Sequence, residues 1–230
     1  MIAIGKNPFF EGLYQNRIKK AFIKPNDKII ELLKNKNIPY EILENNKHRE
    51  KYGKEAQGYA FEFDIDYINL SDLANRKDEN NIIAILDHIQ DPHNFGAVVR
   101  AGHCFGVKTY IIAKDNQCPI TPAVVKSSAG AVVYSNFIVV TNISRTIEEL
   151  KVIGYWIYAS DINGDHNLED LSPNYPAAII IGSEGEGVRT NILKKSDIIF
   201  KIPMKAKIDS LNASQSAAIS FYEFSKKIIR

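Results

Sequence analysis

The amino-acid sequence predicts an α/β protein with a small N-terminal α/β unit and a larger C-terminal unit built on a mostly parallel sheet. Apolar strand-like runs alternate with helix-like patterns along nearly all of the 230 residues, and the later runs are longer and continuously apolar. A polar stretch separates the two patterns. The composition, 45% hydrophobic and 24% charged residues, is typical of a soluble globular protein with a full core.

The first unit spans residues 1–65. Its predicted elements are, in order, a strand at "IAIG", a helix over 7–17, a strand at "KAFIK", a helix from 26 to 37, a strand at "PYEIL", a second polar helix and a strand at "GYAFEFDI". The next stretch, "DYINLSDLANRKDENN" over 66–81, has many charged and amide residues and few large apolar ones. That composition is typical of a linker.

The second unit spans residues 82–230. Its predicted strands are "IIAILDHI", "KTYIIA", "NFIVVT", "YWIYAS", "AAIIIG" and "DIIFKIP", and its predicted helices lie near 93–106, 121–130, 144–154, 188–195 and 211–229. Strands this apolar are buried on both faces, which favours a parallel sheet covered by helices. Ligands bind such sheets beyond the carboxyl ends of the strands, so the segments that follow the strands are the candidates for a site.

Charge is distributed unevenly along the chain. Residues 1–54 contain 12 Lys or Arg and 6 Asp or Glu, a balance of +6, whereas the remaining residues have a balance of −4. The segments "NRIKKAFIK" and "NKHREKYGK" are suited to following a phosphate backbone. A solvated, lysine-rich surface explains the same pattern equally well.

Membrane, disulfide and zinc proteins are disfavoured by simple features. No apolar run approaches the length of a membrane helix and no signal-peptide pattern is present, so we expect a cytoplasmic protein with no membrane partner. The two cysteines, Cys104 and Cys118, are too few for a disulfide framework, and no His/Cys spacing is typical of a zinc site. We expect two free thiols and no metal.

The first unusual strand end is "DHIQDPHNFGAVVRAGHCFG". Asp91 is expected to cap a helix that has Pro92 at its first position. Helical periodicity places three residues toward the sheet: Ala97, Ala101 and Phe105. Gly96 then lies one turn before Arg100 on another side, where a glycine leaves room beside the guanidinium. A loose helix start with an exposed arginine is the alternative.

The second unusual strand end is "AAIIIGSEGEGV". Three glycines within six positions indicate a loop whose backbone approaches a ligand closely or adopts positive φ. Their spacing does not match the dinucleotide-binding fingerprint, and the sequence has no Walker A motif, so the usual NAD and nucleoside triphosphate sites are unsupported. Glu184, between the glycines, is either a turn residue or a group that orients a cation.

The third is "IPMKAKIDSLNASQSAAISFYE", over 202–223. A helical face of apolar residues, Ala217, Phe221, Phe224 and Ile228, continues backwards into Ser214 and Ser210. Helix capping by Asp209 or Ser210 explains one of these polar residues. The others indicate a polar ligand, or backbone that crosses at close range.

Taken in this order, "DPHNFGAVVRAG", "IIIGSEGEGV" and "IPMKAKIDSLNASQSAAISFYE" resemble the three signature motifs of the SpoU (TrmH) class of SPOUT methyltransferases, which 2′-O-methylate RNA. Upstream, "IGKNPFFEGL", "IKKAFI", "IPYEIL" and "AQGYAFEF" resemble the substrate-binding domain of the bacterial 23S rRNA guanosine-2′-O-methyltransferases, which is related to ribosomal proteins L30 and L7Ae. The resemblance covers nearly the whole chain and is more specific in its C-terminal two thirds.

The resemblance implies a fold and a set of partners. Residues 1–65 would form the L30/L7Ae-like domain that binds the RNA substrate, 66–81 a linker, and 82–230 the SPOUT methyltransferase domain with a parallel sheet and a deep trefoil knot. The methyl donor would be S-adenosylmethionine, with no metal. The partners would be 23S ribosomal RNA or its precursor particle and a second copy of the chain, as a homodimer.

The resemblance also implies the site residues. The catalytic set would be Arg100, Asn94, Glu184, Ser210 and Asn212, and the cofactor-binding set, which lines the donor pocket with its backbone, would be Gly182, Ile202, Met204 and Leu211. A guanidinium holds its proton at neutral pH, so we favour Arg100 as a stabiliser of the developing alkoxide and a clamp on a phosphate rather than as a base. We expect Glu184 to orient Arg100 or a loop N–H group. The nearby histidines are more often structural: His88, His93 and His103.

Two alternatives and two departures from the family pattern remain. A transfer RNA 2′-O-methyltransferase of the same fold usually lacks a separate N-terminal α/β domain, and a non-catalytic RNA-binding or ribosome-assembly protein would have little use for the complete catalytic set.

Ala206 stands where the family usually has glycine, which questions positive φ in that loop. Ala56 stands where the ribosomal RNA enzymes often have histidine, which weakens the prediction of the same target nucleotide.

Overall fold

The N-terminal unit contains a four-stranded sheet. The computed structural model describes residues 1–74, 81–205 and 210–228. Its elements are β1 (Ile2–Ile4), α1 (Lys6–Tyr14), β2 (Lys20–Ile23), α2 (Asp27–Asn35), β3 (Tyr40–Ile42), α3 (Asn45–Tyr52) and β4 (Tyr59–Glu62). The strands lie in the sheet in the order β1–β4–β2–β3, in which β4 runs antiparallel to β1 and β2, whereas β2 and β3 are parallel. Their order agrees with the predicted order of strands and helices.

The second unit contains an eight-stranded sheet in which every neighbouring pair is parallel. The elements are β5 (Asp66–Tyr67), α4 (Ser71–Ala74), β6 (Ile82–Asp87), α5 (Pro92–Cys104), β7 (Thr109–Ala113), α6 (Pro122–Ser127), β8 (Asn136–Val140), α7 (Ile143–Val152), β9 (Trp156–Ser160), β10 (His166–Asn167), β11 (Ala177–Gly182), α8 (Thr190–Leu193), β12 (Ile198–Lys201) and α9 (Ala213–Ile228). The strands lie in the sheet in the order β10–β12–β9–β11–β6–β7–β8–β5. The prediction of an α/β fold with a parallel sheet is confirmed.

The apolar strands are continuous because both faces of this sheet are covered. Along β6, Ile83 and Ile85 point into a core formed with α7 and α8, whereas Leu86 and its alternate neighbours point into a core formed with α5, α6 and α9. Since successive side chains of a strand point to opposite faces, each position must be apolar when both faces are buried. The unit is therefore a sheet between two layers of helices.

Part of the predicted linker is folded onto this sheet. Asp66 and Tyr67 form β5, which pairs in parallel with β8, and Leu73 of α4 is buried among residues of α7 and β6. The few apolar side chains in this polar stretch therefore suffice to anchor it. Residues 75–80 lie outside the described residues, and the exact division into domains stays a prediction.

The N-terminal unit packs directly against the second one. Helix α1 lies on a short 3₁₀ turn, Ala131–Tyr134, where the Tyr134 hydroxyl donates a hydrogen bond of 2.5 Å to a carboxylate oxygen of Glu11. Gly130 has a φ of +96°, and a Cβ there would lie 2.9 Å from the Pro8 Cα. Apolar residues of both units form one continuous core, so the two units share an interface and are not merely tethered.

Helix α5 begins as predicted but buries a different face. Asp91 caps it, because its carboxylate accepts hydrogen bonds from the backbone N–H groups of His93 and Asn94. The buried residues are Phe95, Gly96, Val98, Val99 and Gly102 rather than the predicted Ala97, Ala101 and Phe105, which are half-buried. The larger apolar side chains, spaced three and four residues apart, set the phase of the helix.

Gly96 has a structural role that the sequence did not indicate. A Cβ at this position would lie 1.9 Å from the Ser127 Oγ and 2.7 Å from the Val124 carbonyl oxygen, both in α6. The glycine thus permits close packing of α5 against α6. The prediction that it leaves room beside Arg100 was wrong, because that space is filled by α6.

Two other expectations concern the cysteines and membrane helices. Cys104 is exposed, Cys118 is buried, and both are free thiols, as predicted. Burial raises the pKa of the Cys118 thiol, so it is protonated at neutral pH. In the three ranges that the structure describes, no helix is long and apolar enough to cross a membrane.

A buried histidine lies in the N-terminal unit. His48 of α3 has no exposed surface, and its Nε2 lies 3.2 Å from the carbonyl oxygen of Phe22 on β2. Burial lowers the pKa of the imidazole, because the charged ring loses its hydration. The folded protein therefore favours neutral His48.

We expect the free energy of unfolding to fall as the pH is lowered from roughly 7.5 to 5.5, because the unfolded chain then binds a proton at residue 48, with a pKa of about 6.5, that the folded chain resists. The loss begins near the unfolded pKa and continues down to the lower folded pKa. Urea unfolding of wild type and His48→Gln at both ends of this range tests it. The variant should show the shallower pH dependence, and equal slopes would contradict the assignment.

Candidate active site

A cavity of about 580 Å³ lies at the carboxyl edge of the eight-stranded sheet. Three segments form it: residues 160–163 after β9, residues 182–187 after β11, and the described residues between β12 and the start of α9. These three strands are neighbours in the sheet, so their following loops meet at one place. The cavity is where a parallel sheet is expected to bind a ligand.

The glycine loop, residues 182–188, folds back over the end of its own strand. Gly185 and Gly187 have φ values of +90° and +67°, and Ser183 and Gly187 exchange backbone hydrogen bonds of 3.0 and 3.2 Å. A Cβ on Gly182 would lie 2.1 Å from the carbonyl carbon of Gly187. Positive φ, one of the two predicted reasons for the glycines, is present at Gly185 and Gly187, whereas Gly182 permits a close approach to the loop's own backbone. Close approach to a ligand, the other predicted reason, stays a prediction.

A polar network joins the glycine loop to two helices. The Asn94 amide donates a hydrogen bond to the Glu184 carboxylate, and the Asn212 amide donates one of 2.9 Å to the Asn94 Oδ1. These residues come from the first turn of α5, the glycine loop and the segment before α9. Glu184 was expected to orient Arg100 or a loop N–H group, but its partner in the structure is the Asn94 side chain.

Asn212 also caps α9. Its Oδ1 accepts hydrogen bonds from the Ser214 backbone N–H at 2.8 Å and from the Ser214 hydroxyl at 2.6 Å. The predicted caps were Asp209, which lies outside the described residues, and Ser210. The Ser210 prediction was wrong, because the helix begins at Ala213 and the preceding residue is the one whose side chain reaches its free N–H groups.

The polar start of α9 faces the cavity rather than the core. Ala217, Phe221 and Phe224 are buried, as their spacing predicted. Ser210 and Asn212 are exposed and line the cavity, with Ala213 and Ser216 beside them. The buried stripe continues to Ala213, the first residue of α9, so the polar residues that face the cavity are mainly those just before the helix.

The structure brings eight of the nine predicted site residues together. Seven line the cavity: Gly182, Glu184, Ile202, Met204, Ser210, Leu211 and Asn212. Asn94 joins them through its two hydrogen bonds. Arg100 is exposed on α5 and is not part of the cavity wall of its own chain. The catalytic and binding roles of all nine stay predictions.

Several lining residues were missed by the sequence reasoning. Ser160, the last residue of β9, and Asp161 and Asn163, which follow it, line the cavity. Asp161 accepts a hydrogen bond of 2.8 Å from the Asn163 backbone N–H, and the hydroxyls of Ser160 and Ser216 lie 3.1 Å apart. The signal was available, because the polar segment "DING" follows the apolar run "YWIYAS" at the same edge of the sheet.

Negative charge dominates the cavity. Its described lining includes the carboxylates of Asp161, Glu184 and Glu186 and no Lys or Arg side chain. Apolar side chains form other parts of the wall: Ile162, Ile181, Ile202, Met204 and Leu211. Such a lining suits a ligand that has both a flat apolar part and a positive charge. Among the described residues, no cluster of three or more His, Cys, Asp or Glu has the arrangement of a metal site.

Two residues depart from the family pattern, Ala206 and Ala56. Ala206 lies outside the described residues. Ala56 has no exposed surface and ends a short 3₁₀ turn, so a side chain at this position packs inside the N-terminal unit.

Comparison with known proteins identifies the family. The model of the SpoU rRNA Methylase family matches residues 81–222. YacO of Bacillus subtilis (strain 168), a candidate TrmH family tRNA/rRNA methyltransferase, is 33% identical over 235 residues, which cover 97% of this chain and 94% of YacO. The chain belongs to the SpoU/TrmH family of RNA methyltransferases. The predicted family is therefore confirmed.

Solved structures of SpoU/TrmH proteins share this fold. An AdoMet-bound rRNA methyltransferase from Sinorhizobium meliloti superposes with a TM-score of 0.81 at 18% identity, covering 98% of this chain and 86% of that protein. A TrmH/SpoU tRNA modifying enzyme of A. aeolicus superposes with a TM-score of 0.58 at 24% identity, covering 69% of this chain and 83% of that protein. At these identities the likeness establishes the fold alone.

The two roles of Asn212 are separable by substitution. Asn212→Ala removes both the cap and the amide donor, whereas Asn212→Asp keeps the oxygen that caps α9, replaces the N–H donor to Asn94 by an acceptor oxygen and adds a negative charge that the helix N-terminus favours. We expect the free energy of unfolding to fall by about 1 kcal/mol in Asn212→Ala and by clearly less in Asn212→Asp. Urea unfolding measures both, with Ser210→Ala as a control expected to change stability by less than about 0.5 kcal/mol. Equal losses in the two Asn212 variants would contradict the capping role.

Proposed function

We propose that this protein transfers a methyl group from S-adenosylmethionine to a ribose 2′-hydroxyl of RNA, in a guanosine of 23S ribosomal RNA. The observation that carries the proposal is the acidic cavity at the carboxyl edge of the sheet, whose wall includes the glycine loop. Three catalytic candidates, Asn94, Glu184 and Asn212, are hydrogen-bonded to one another at this cavity.

The cavity fits this donor in size and charge. Its volume of about 580 Å³ lies within the range of small-molecule sites. Carboxylates and apolar side chains in the wall match a ligand with a positive charge and a purine ring, and the backbones of Gly182, Ile202, Met204 and Leu211 would hold it. When bound, the donor supplies an electrophilic methyl group on a sulfonium. The chain's own residues must then orient the hydroxyl that receives it.

Orientation of the hydroxyl is assigned to the polar network. The Asn94 and Asn212 amides and the Ser210 hydroxyl supply hydrogen-bond donors and acceptors beside the cavity. Glu184 fixes the rotamer of Asn94 by accepting its N–H, so it acts as a positioning residue. Holding two reactants in line contributes several kcal/mol to catalysis without any acid or base.

Arg100 is assigned to the neighbouring protomer's site in a homodimer. It lies six residues after Asn94 on α5, which corresponds to about 9 Å of helix rise, and is exposed outside its own cavity. Ile219 and Tyr222 of α9 are also exposed, and Tyr222 contacts Phe105 at the end of α5. Because α9 packs against α5, these exposed apolar side chains support dimerisation through the two helices. Arg100 would then stabilise the developing alkoxide and clamp an adjacent phosphate.

Ribosomal RNA is favoured over transfer RNA by the N-terminal unit. The S. meliloti rRNA methyltransferase covers nearly all of this chain, whereas the A. aeolicus tRNA modifying enzyme covers about two thirds of it. Helix α3 presents Lys47, Arg49 and Lys51 to solvent, which suits contact with a phosphate backbone. The substrate is either naked RNA or a precursor particle of the ribosomal subunit.

The test is mass-spectrometric nucleoside analysis of unmodified 23S rRNA and of bulk tRNA, each incubated with the purified protein and S-adenosylmethionine. We expect one new 2′-O-methylguanosine in a 23S fragment. A 2′-O-methyl group that appears only in tRNA would overturn the substrate assignment. Failure to bind the donor in calorimetry, together with retained RNA binding, would instead support a non-catalytic RNA-binding protein.

Arg100→Lys tests the role of the arginine. Lysine keeps the positive charge and loses a proton more easily but cannot form the planar fork, so we expect kcat to fall by about 100-fold or more with donor affinity unchanged. Steady-state methylation assays over a range of pH, with donor calorimetry, measure both quantities. Arg145→Lys, an exposed arginine on α7, is the matched control and should keep full activity. Retained activity with a lowered pH optimum in Arg100→Lys would indicate a general base instead.

A further inference from the structure

A buried ion pair stands directly behind the glycine loop. Asp87 is the last residue of β6, and its carboxylate has no exposed surface. In the sheet it lies opposite Gly182, the last residue of β11 and the first of the glycine loop. An ionised carboxylate in such a place requires strong partners, because burial removes its hydration.

Arg189 supplies those partners from the other end of the loop. Its backbone N–H donates to the Asp87 Oδ2 at 3.1 Å, and its Nε donates to both carboxylate oxygens at 3.0 and 3.2 Å. Its Nη2 lies 2.7 Å from the Asp87 Oδ1. The guanidinium thus contacts the carboxylate through two nitrogens, Nε and Nη2, and the Arg189 backbone N–H is a third donor. Arg189 is the residue that immediately follows the glycine loop.

The pair therefore ties both ends of the loop to one point. Strand pairing fixes Gly182 beside the Asp87 backbone, and the Asp87 side chain fixes Arg189. Between these two anchors the loop has its Ser183–Gly187 bridge, the contact between Gly182 and the following backbone, the hydrogen bond from Asn94 to Glu184 and the buried side chain of Val188. Because the loop backbone forms one wall of the cavity, a shift of the Arg189 anchor moves that wall.

We propose that Asp87 and Arg189 are positioning residues that hold the glycine loop in the shape that binds the methyl donor. This inference rests on the proposed function and adds two residues to its site. Neither side chain lines the cavity, so both act through the loop. If the ion pair were purely structural, its loss would lower the stability of the fold and leave donor affinity unchanged. If the pair positions the loop, its loss weakens donor binding.

Asp87→Asn tests the proposal, because it keeps the shape of the side chain and removes its charge. We expect the dissociation constants of S-adenosylmethionine and S-adenosylhomocysteine to rise about ten-fold or more, as for other residues that support a binding wall, with RNA affinity unchanged within about two-fold. Arg189→Gln should behave alike, Arg189→Lys should be intermediate, and the double variant should be no worse than the worse single variant. Calorimetry measures the dissociation constants of S-adenosylmethionine and S-adenosylhomocysteine, and an RNA-binding assay measures RNA affinity as the control.

Asp197→Asn is the control: it changes a more exposed carboxylate that has the same kinds of partner. The Asp197 carboxylate likewise accepts a backbone N–H, from Ile157 at 2.9 Å, and a cation, Lys151, at 2.6 Å. It precedes β12 at the opposite, amino edge of the parallel sheet and does not line the cavity. We expect its loss to lower the melting temperature and leave donor affinity unchanged. Unchanged donor affinity in folded Asp87→Asn and Arg189→Lys would overturn the proposal.

Hydrogen exchange of the apo protein separates this inference from the proposed function. Amides of the glycine loop should exchange faster in Asp87→Asn and Arg189→Lys than in wild type, and at the wild-type rate in Asp197→Asn. Wild-type protein that bound no donor would contradict the proposed function, whereas loop exchange would still decide whether the pair positions the loop. Wild-type exchange in both variants would overturn the positioning role.

Discussion

The backbone contact between Gly182 and the Gly187–Val188 peptide constrains the glycine loop, and through it one wall of the cavity. A Cβ on Gly182 would lie 2.1 to 2.3 Å from those atoms, so the loop can return over its own strand only if the strand ends in glycine. Strand β11 lies between β6 and β9 and is buried along most of its length, which leaves it no freedom to shift. A rigid strand end thus dictates the shape of the loop, and the loop dictates one wall of the cavity.

Polar contacts hold the segments that surround the cavity, because apolar packing would fill the space that a ligand needs. Asn94, Glu184 and Asn212 connect α5, the glycine loop and the start of α9, and each is at the edge of the cavity rather than in the core. Behind the loop, Asp87 and Arg189 satisfy each other's charge in a site closed to water on the carboxylate side. The site is therefore stabilised by directional hydrogen bonds, which fix orientation as well as distance.

The N-terminal unit takes its position from the same kind of packing that builds the second unit. Phe9 of α1 contacts Tyr59 and Phe61 of β4, and this apolar cluster continues without a break into α5 and α6. The basic helix α3 consequently stands at a fixed distance from the cavity. Under the proposed function, an RNA that contacts α3 would have to span this distance to place its ribose in the cavity.

The sequence by itself determined the parallel sheet, the order of its strands and helices along the chain, the Asp91 cap and two of the three segments that form the cavity, because these follow from local periodicity and from residue types next to strand ends. The tertiary structure decided which face of α5 is buried, why residue 96 is glycine, that Asn212 rather than Ser210 caps α9, and that Arg100 lies outside its own cavity. It also paired Asp87 with Arg189, which are 102 residues apart. Such contacts depend on how distant segments pack, and a single sequence has no local pattern that records them.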